Sequence, residues 1–298
     1  MGRIALGTVQ FGLDYGINNS RGQVSKDEVF SILDLAREAG LDMLDTAYGY
    51  GSSERVLGEY IRKKKADFKL ISKLPKGSAS ETREFAYDSL KTLGIATFYG
   101  YLVHDLPSFL ADPFIWQHLQ ALKRAQKTVK IGFSLYYPEE LDLLLEKNID
   151  FDLVQVPYSI FDRRFESKFP LLKDRGVEIH VRSVFLQGLL FKNSADLSEK
   201  FAQIKDKILQ LALLAREAAV SRASLCLNFA LLNQEIDRVL VGVDSRENFQ
   251  EIVDSLNDYS KVDKIRSQLL PLREDDLGIL LPFNWSKQVK VRSVKEEV

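Results

Sequence analysis

Eight short apolar runs, each followed by room for a helix, predict a single α/β domain over residues 1–298, folded as a (β/α)8 TIM barrel. Three observations carry this reading. The runs start roughly 24 to 39 residues apart, with a last step of roughly 60, which is the room a strand, a helix and their loops require. Within runs such as Ile179-His180-Val181-Arg182, polar and apolar residues alternate. That places His180 and Arg182 inside the barrel and Ile179 and Val181 against the helices, and residues 151–156 repeat the split with Gln155 inside. No low-complexity linker divides the 298 residues, and 45% hydrophobic composition is enough for one large core.

In chain order, the first strand is Ile4-Ala5-Leu6. Ser25-Lys26-Asp27-Glu28 has capping-box spacing and opens a helix that runs to about Ala39, before Gly40. Met43-Leu44-Asp45 is the second strand, and Ser53 caps the helix after it, with Val56, Leu57, Tyr60 and Ile61 on one face. Leu70-Ile71-Ser72-Lys73 is the third, and Ser78-Ala79-Ser80-Glu81 starts a helix ending near Leu93-Gly94. Tyr101-Leu102-Val103-His104 and Val129-Lys130-Ile131-Gly132-Phe133 follow, with Pro113 and Pro138 suited to the first turns of the helices behind them. Leu153-Val154-Gln155-Val156 and Ile179-His180-Val181-Arg182 are the sixth and seventh. The long step to the eighth, Val239-Leu240-Val241-Gly242, holds two helices, over 201–219 and 221–232. From Ser286 onward the tail is mixed in charge and is expected to cover the barrel or fray.

Composition excludes several function classes. Lys+Arg 41 against Asp+Glu 42 gives a formal net charge of −1, so no broad basic face for nucleic acid is expected. The single cysteine, Cys226, forms no intrachain disulfide and reads as core filler between Leu225 and Leu227. No apolar run reaches the length of about 18 residues that a membrane span needs. Met1-Gly2-Arg3-Ile4 does not open like a signal peptide, so a cytoplasmic protein is expected. Three scattered histidines predict no metal site. Gly49-x-Gly51 follows a strand, but Glu54 stands where a dinucleotide fingerprint needs its third glycine.

In a (β/α)8 barrel the active site forms at the carboxyl ends of the strands. There the second strand carries Asp45, the third Lys73 and the fourth His104, and Tyr50 follows Asp45 by five residues. A carboxylate and an ammonium buried together must pair. A lysine cation beside a phenol is expected to lower the phenol's pKa, with Asp45 holding the lysine in place. Such a tyrosine is a general acid for an oxygen gaining negative charge, and His104 can orient that oxygen. A carbonyl oxygen that turns negative without a protein nucleophile points to hydride delivery from a nicotinamide.

Asp45-Thr46-Ala47-Tyr48-Gly49-Tyr50-Gly51-Ser52-Ser53-Glu54, with Lys73 in Ile-Ser-Lys and His104 in Leu-Val-His-Asp, resembles the aldo-keto reductase superfamily. The resemblance runs from Leu6-Gly7-Thr8 to Val239-Leu240-Val241 and just beyond. It implies an NAD(P)H-dependent reductase of an aldehyde or ketone. Tyr50 is then the proton donor, Lys73 and Asp45 tune it, and His104 orients the carbonyl; the family spacing from the aspartate selects Tyr50 over Tyr48. The resemblance also implies cofactor contacts. These are Gly7 and Thr8, then Ser134 as the first of a polar pair whose second place is Leu135 here, and Gln155 on the nicotinamide carboxamide. Arg182 stands where the family often stacks an aromatic, and Ser183, Gln187 and Gly188 belong to a loop around the pyrophosphate. After the eighth strand, the lysine and arginine of many NADPH-preferring members fall on Gly242 and Asn248. Ser245, backbone amides and Arg246 are expected to serve instead, while Asp244 repels a 2′-phosphate if it faces the pocket. On family habit NADP(H) is expected ahead of NAD(H).

The substrate pocket is expected from loops that include Gln10-Phe11-Gly12-Leu13-Asp14-Tyr15 and Leu281-Pro282-Phe283-Asn284-Trp285. Asp14, Tyr15 and Arg182 suggest a polar small-molecule carbonyl such as a sugar-derived one. No nucleic-acid or membrane partner is expected, and the oligomeric state is not legible. Two readings from other classes stand beside this one. The first is a Schiff-base lyase with Lys73 as nucleophile, opposed by the carboxylate that keeps the lysine charged. The second is a non-catalytic NADPH-binding sensor that docks a partner.

Overall fold

The computed structural model describes residues 1–77 and 79–285. Eight parallel strands close into a barrel in sequence order. They are β1 (Ile4–Gly7), β2 (Met43–Asp45), β3 (Lys69–Leu74), β4 (Phe98–Val103), β5 (Thr128–Ser134), β6 (Leu153–Pro157), β7 (Glu178–Arg182) and β8 (Arg238–Gly242). β1 closes the ring against β8 with Leu6 opposite Val241 and Gly7 opposite Gly242. The helices outside are α1 (Lys26–Glu38), α2 (Ser53–Lys64), α3 (Ala79–Leu93), α4 (Leu106–Ala111), α5 (Phe114–Arg124), α6 (Pro138–Glu146), α7 (Phe169–Asp174), α8 (Lys205–Glu217), α9 (Arg222–Leu232) and α10 (Arg246–Ser255). None of the helices among the described residues is long and apolar enough to cross a membrane.

Strand alternation sorts the residues into two cores, because successive side chains of a strand point to opposite faces. Ala5, Met43, Ile71, Leu102, Leu153 and Leu240 meet inside the barrel as an apolar plug. Ile4, Leu6, Val154, Val156, Ile179 and Val181 join the larger core beneath the helices. The expected faces of the sixth and seventh strands hold. Polar groups lie above and below the plug. Lys130, Tyr99 and His180 converge on Glu178 at the floor, and Asp45, Lys73 and Gln155 meet at the mouth.

Helix starts follow the sequence with four differences, one being that Pro113 caps α5 from outside whereas Pro138 opens the first turn of α6 as expected. Ser25 accepts from the Glu28 amide, but the Glu28 carboxylate does not return the bond; it accepts from the Arg246 amide instead, at 2.6 Å, tying α1 to α10. Ser53 is the first residue of α2 rather than its cap, because its hydroxyl is drawn inward to Thr8 Oγ1 at 2.9 Å and Thr46 Oγ1 at 3.1 Å. The 201–219 stretch divides into a 3-10 turn, Glu199–Ile204, and then α8. The cap expected of Ser78 and the tail from Ser286 onward lie outside the described residues. Gly51, with φ of 56°, lets the loop after β2 close on the loop after β1; a Cβ there would stand 2.4 Å from the Gly12 carbonyl oxygen.

Candidate active site

The strand ends build the site. β2 delivers Asp45 and β3 delivers Lys73 to the same level of the barrel mouth, where Lys73 Nζ donates to Asp45 Oδ1 at 2.6 Å and to the Thr46 carbonyl at 2.8 Å. Both side chains are buried, Lys73 completely. β6 adds Gln155, whose amide donates to Asp45 Oδ2 at 2.8 Å, so each carboxylate oxygen has a donor. A buried charge is tolerable only when paired and hydrogen-bonded in this way. The loop after β2 brings Tyr50 back over the pair, with Lys73 Nζ 5.1 Å from its ring centre. His104, one residue past β4, meets the Tyr50 ring edge-on with centroids 5.8 Å apart. Asp45, Tyr50 and His104 line one open cleft. Tyr48 turns away and packs edge-on against Phe85 at 4.9 Å.

The electrostatics differ from the sequence expectation at Tyr50. Burial pushes its phenol pKa up, Asp45 and Tyr136 push the same way, and Arg182 opposes them. The net shift is upward rather than downward, because burial and the Asp45 charge outweigh the Arg182 cation. Burial lowers the Lys73 pKa, with Asp45 acting against the shift. Burial, with the cations Lys73, Arg182 and Lys76, pushes His104 down to about 3, so its imidazole is neutral near pH 7. The site thus presents a protonated phenol and a neutral imidazole to the cleft.

Most residues expected to touch a cofactor line the same cleft. Gly7, Thr8, Ser134, Gln155 and Arg182 stand on the barrel side, Ser183, Gln187 and Gly188 on the loop after β7, and Gly242 and Asp244 after β8. Thr8 and Gln155 also brace the site, since the Thr8 hydroxyl donates to the Asp45 carbonyl at 2.9 Å. Ser245 and Arg246 are not brought into the cleft. The Ser245 hydroxyl is buried as the cap of α10, accepting from the Asn248 amide at 3.1 Å. Arg246 is exposed and lies in a separate groove with Glu247, Gln250 and Glu251.

The structure adds Tyr136, which the sequence did not single out, and shows what several expected pocket residues touch. Arg182 lies over the Tyr136 ring at 4.1 Å and donates to the Leu135 carbonyl at 3.0 Å. Tyr136 in turn meets Phe283 edge-on at 5.3 Å, so Phe283 packs against a residue of the cleft wall, whereas Trp285 packs on Phe201 at 5.3 Å. Tyr15 accepts a hydrogen bond from the Gln187 amide at 2.6 Å, joining the loops after β1 and β7, and burial pushes its pKa up to about 12. Tyr136 follows strand five within a Leu-Tyr-Tyr-Pro run, but its partner Arg182 lies 46 residues away, a pairing that only the closed barrel creates.

The cleft also fits a nicotinamide dinucleotide. Gln10 Oε1 is buried on its wall with no hydrogen-bond partner among the described residues. The loop after β7 holds Ser183, Leu186, Gln187 and Gly188 at φ of 64°, 44°, 51° and 89°, a run of left-handed residues that bends this wall around the cleft. The neutral residues Ser134, Ser183 and Asn18 also line the cleft.

Comparison with known proteins gives the family and the fold. The profile of the aldo/keto reductase family matches residues 3–267. The chain is 25% identical over 311 aligned residues to pyridoxal 4-dehydrogenase of Microbacterium luteolum, covering 85% of this chain and 91% of that protein. It is 24% identical over 260 residues to L-galactose dehydrogenase of Arabidopsis thaliana, covering 81% and 82% respectively. A solved aldo-keto reductase from Bacillus halodurans, in holo form, shares the fold with a TM-score of 0.69 at 22% identity, covering 88% of this chain and 91% of that one.

Proposed function

The chain belongs to the aldo/keto reductase family and is an oxidoreductase of carbonyl compounds; on that premise we propose that it reduces an aldehyde or ketone with NAD(P)H, using Tyr50 as the proton donor. The observation that carries this reading is the stack at the barrel mouth. A protonated Tyr50 stands over the buried Lys73–Asp45 pair and beside a neutral His104.

The bound nicotinamide supplies the hydride. Gly7, Ser134, Gln155, Arg182, Ser183, Gln187, Gly188 and Gly242 are the residues that would hold it along the cleft. Tyr50 keeps its proton in the resting site, because its pKa is raised, and gives it up only as the carbonyl oxygen gains charge. The Lys73 charge beneath the ring then steadies the phenolate left behind. Asp45, Gln155 and the Thr46 carbonyl fix that lysine in place. His104 has a ring N–H to direct at the same oxygen. Tyr15, Tyr136 and Arg182 give the cleft a polar and aromatic wall that suits a hydroxylated, sugar-derived carbonyl. The names of the two relatives, a pyridoxal and an L-galactose dehydrogenase, point to small polar substrates as well. We place the enzyme in the cytoplasm.

Replacing Tyr50 with Phe tests the proposal. Turnover of a responsive aldehyde should fall by roughly two decades or more, as for loss of a general acid, while dinucleotide binding is kept. Undiminished turnover in Tyr50→Phe rules out the assigned role. A Schiff-base role for Lys73 is disfavoured, since its amine is spent on Asp45 and Thr46 and is absent from the cleft wall. Borohydride trapping of substrate on Lys73 would reverse that judgement.

A further inference from the structure

We propose that this chain binds NAD(H) in preference to NADP(H), and that Asp244 sets the preference. The inference rests on the dinucleotide reading above and departs from the family habit that favours NADP(H). The two cofactors differ by a phosphate on the adenosine ribose. A site for that dianion needs cations or uncommitted donors, whereas a bare 2′-hydroxyl needs an acceptor such as a carboxylate.

Among the described residues, the charged side chains on the cleft wall are Asp45, Arg182 and Asp244. Arg182 is the cation, and it is held at the reacting end over Tyr136. Away from that end the wall carries the carboxylate of Asp244, half-buried and accepting a hydrogen bond from the side-chain Nδ2 of Asn248. The groups expected to replace a phosphate-binding lysine and arginine are committed elsewhere. The Ser245 hydroxyl is buried as the cap of α10. The Arg246 amide donates to Glu28 Oε1 at 2.6 Å, which also brings a second carboxylate to this end of the helix. The Arg246 side chain lies in the separate groove along α10. A 2′-phosphate here meets like charge, and a 2′-hydroxyl meets an acceptor.

Calorimetric titration of the full chain with NADH and with NADPH, in the absence of any carbonyl substrate, tests the assignment. NADH should bind roughly tenfold or more tightly than NADPH, and Asp244→Ser and Asp244→Asn should each move the ratio by about tenfold toward NADPH. Competition on the wild-type chain gives a second measurement that needs no variant, with AMP displacing bound NADH better than adenosine 2′,5′-bisphosphate does. Equal or tighter NADPH binding, or a ratio that neither variant moves, overturns the role of Asp244 and leaves the reductase reading standing. Failure to bind either dinucleotide overturns both.

Discussion

Lys73 shows how far one residue carries the site. It is fully buried, its ammonium contacts Asp45 and the Thr46 carbonyl, and it lies under the ring that we propose as acid. Removing one member of such a pair leaves the other as an uncompensated buried charge, which costs about 3–5 kcal/mol. Lys73→Met should therefore lower stability by about that amount and abolish most turnover. The double variant Asp45→Asn/Lys73→Met should regain part of the stability and none of the turnover. Urea unfolding at neutral pH, run beside a turnover assay, separates the two effects; an unfolding midpoint unchanged in Lys73→Met would contradict the buried pair. Asp45, Lys73 and His104 were legible in the sequence because each is a polar residue closing an apolar strand. The direction of the Tyr50 pKa was not, because it depends on how deeply the ring is packed and on how the Asp45 charge weighs against the Arg182 cation.

At the scale of elements, β5 and β6 are held together by the absence of a side chain. A Cβ on Gly132 would stand 1.7 Å from the Leu153 carbonyl oxygen and 2.7 Å from its carbon, and neither backbone atom can swing aside. The strands have to part to admit one, and Leu153 belongs to the plug of the barrel interior. Gly132→Ala should therefore cost at least about 1–3 kcal/mol, the usual range for overpacking. The control is Gly2→Ala, where a Cβ meets nothing within 4 Å and stability should not change. A Gly132→Ala midpoint in urea that matches wild type would show that the two strands have slack. All eight strands were legible from their apolar runs, within a few residues at each end. Less legible were local hydrogen-bond choices, such as Glu28 leaving its own helix cap for the Arg246 amide of α10. Those depend on which distant element docks nearby, and no local pattern encodes that.

Across the whole molecule the barrel interior is stratified, with acid–base groups at the mouth, the apolar plug in the middle and a second charged layer at the floor. In that lower layer Glu178 accepts hydrogen bonds from Lys130 and the Tyr99 hydroxyl and contacts His180 Nε2 at 2.6 Å. Asp42 continues the layer through Lys69 at 2.8 Å and Arg238 at 3.0 Å. Burial alone would raise the Glu178 pKa, but His180, Lys130 and Tyr99 outweigh it and hold the carboxyl well below the usual carboxylate range. A carboxyl whose folded pKa is depressed adds stability that is fully present above its unfolded value, about 4.3, and is lost as pH falls toward the folded value. Glu178→Gln should thus unfold more easily at pH 7, by about 1–3 kcal/mol for a buried charged acceptor. The gap to wild type should narrow as pH drops below about 4. Because Glu178 and its partners Lys130, Tyr99 and His180 share no hydrogen bond with Asp45 or Lys73 among the described residues, the two sites should act independently. Turnover per folded molecule in Glu178→Gln should stay within roughly twofold of wild type at neutral pH, the limit that additivity of distant sites sets. Measuring unfolding from pH 7 to 3.5, with turnover at the upper end, checks both parts. A tenfold fall in turnover without unfolding would mean that the plug transmits strain from floor to mouth and that the two charged layers form one machine.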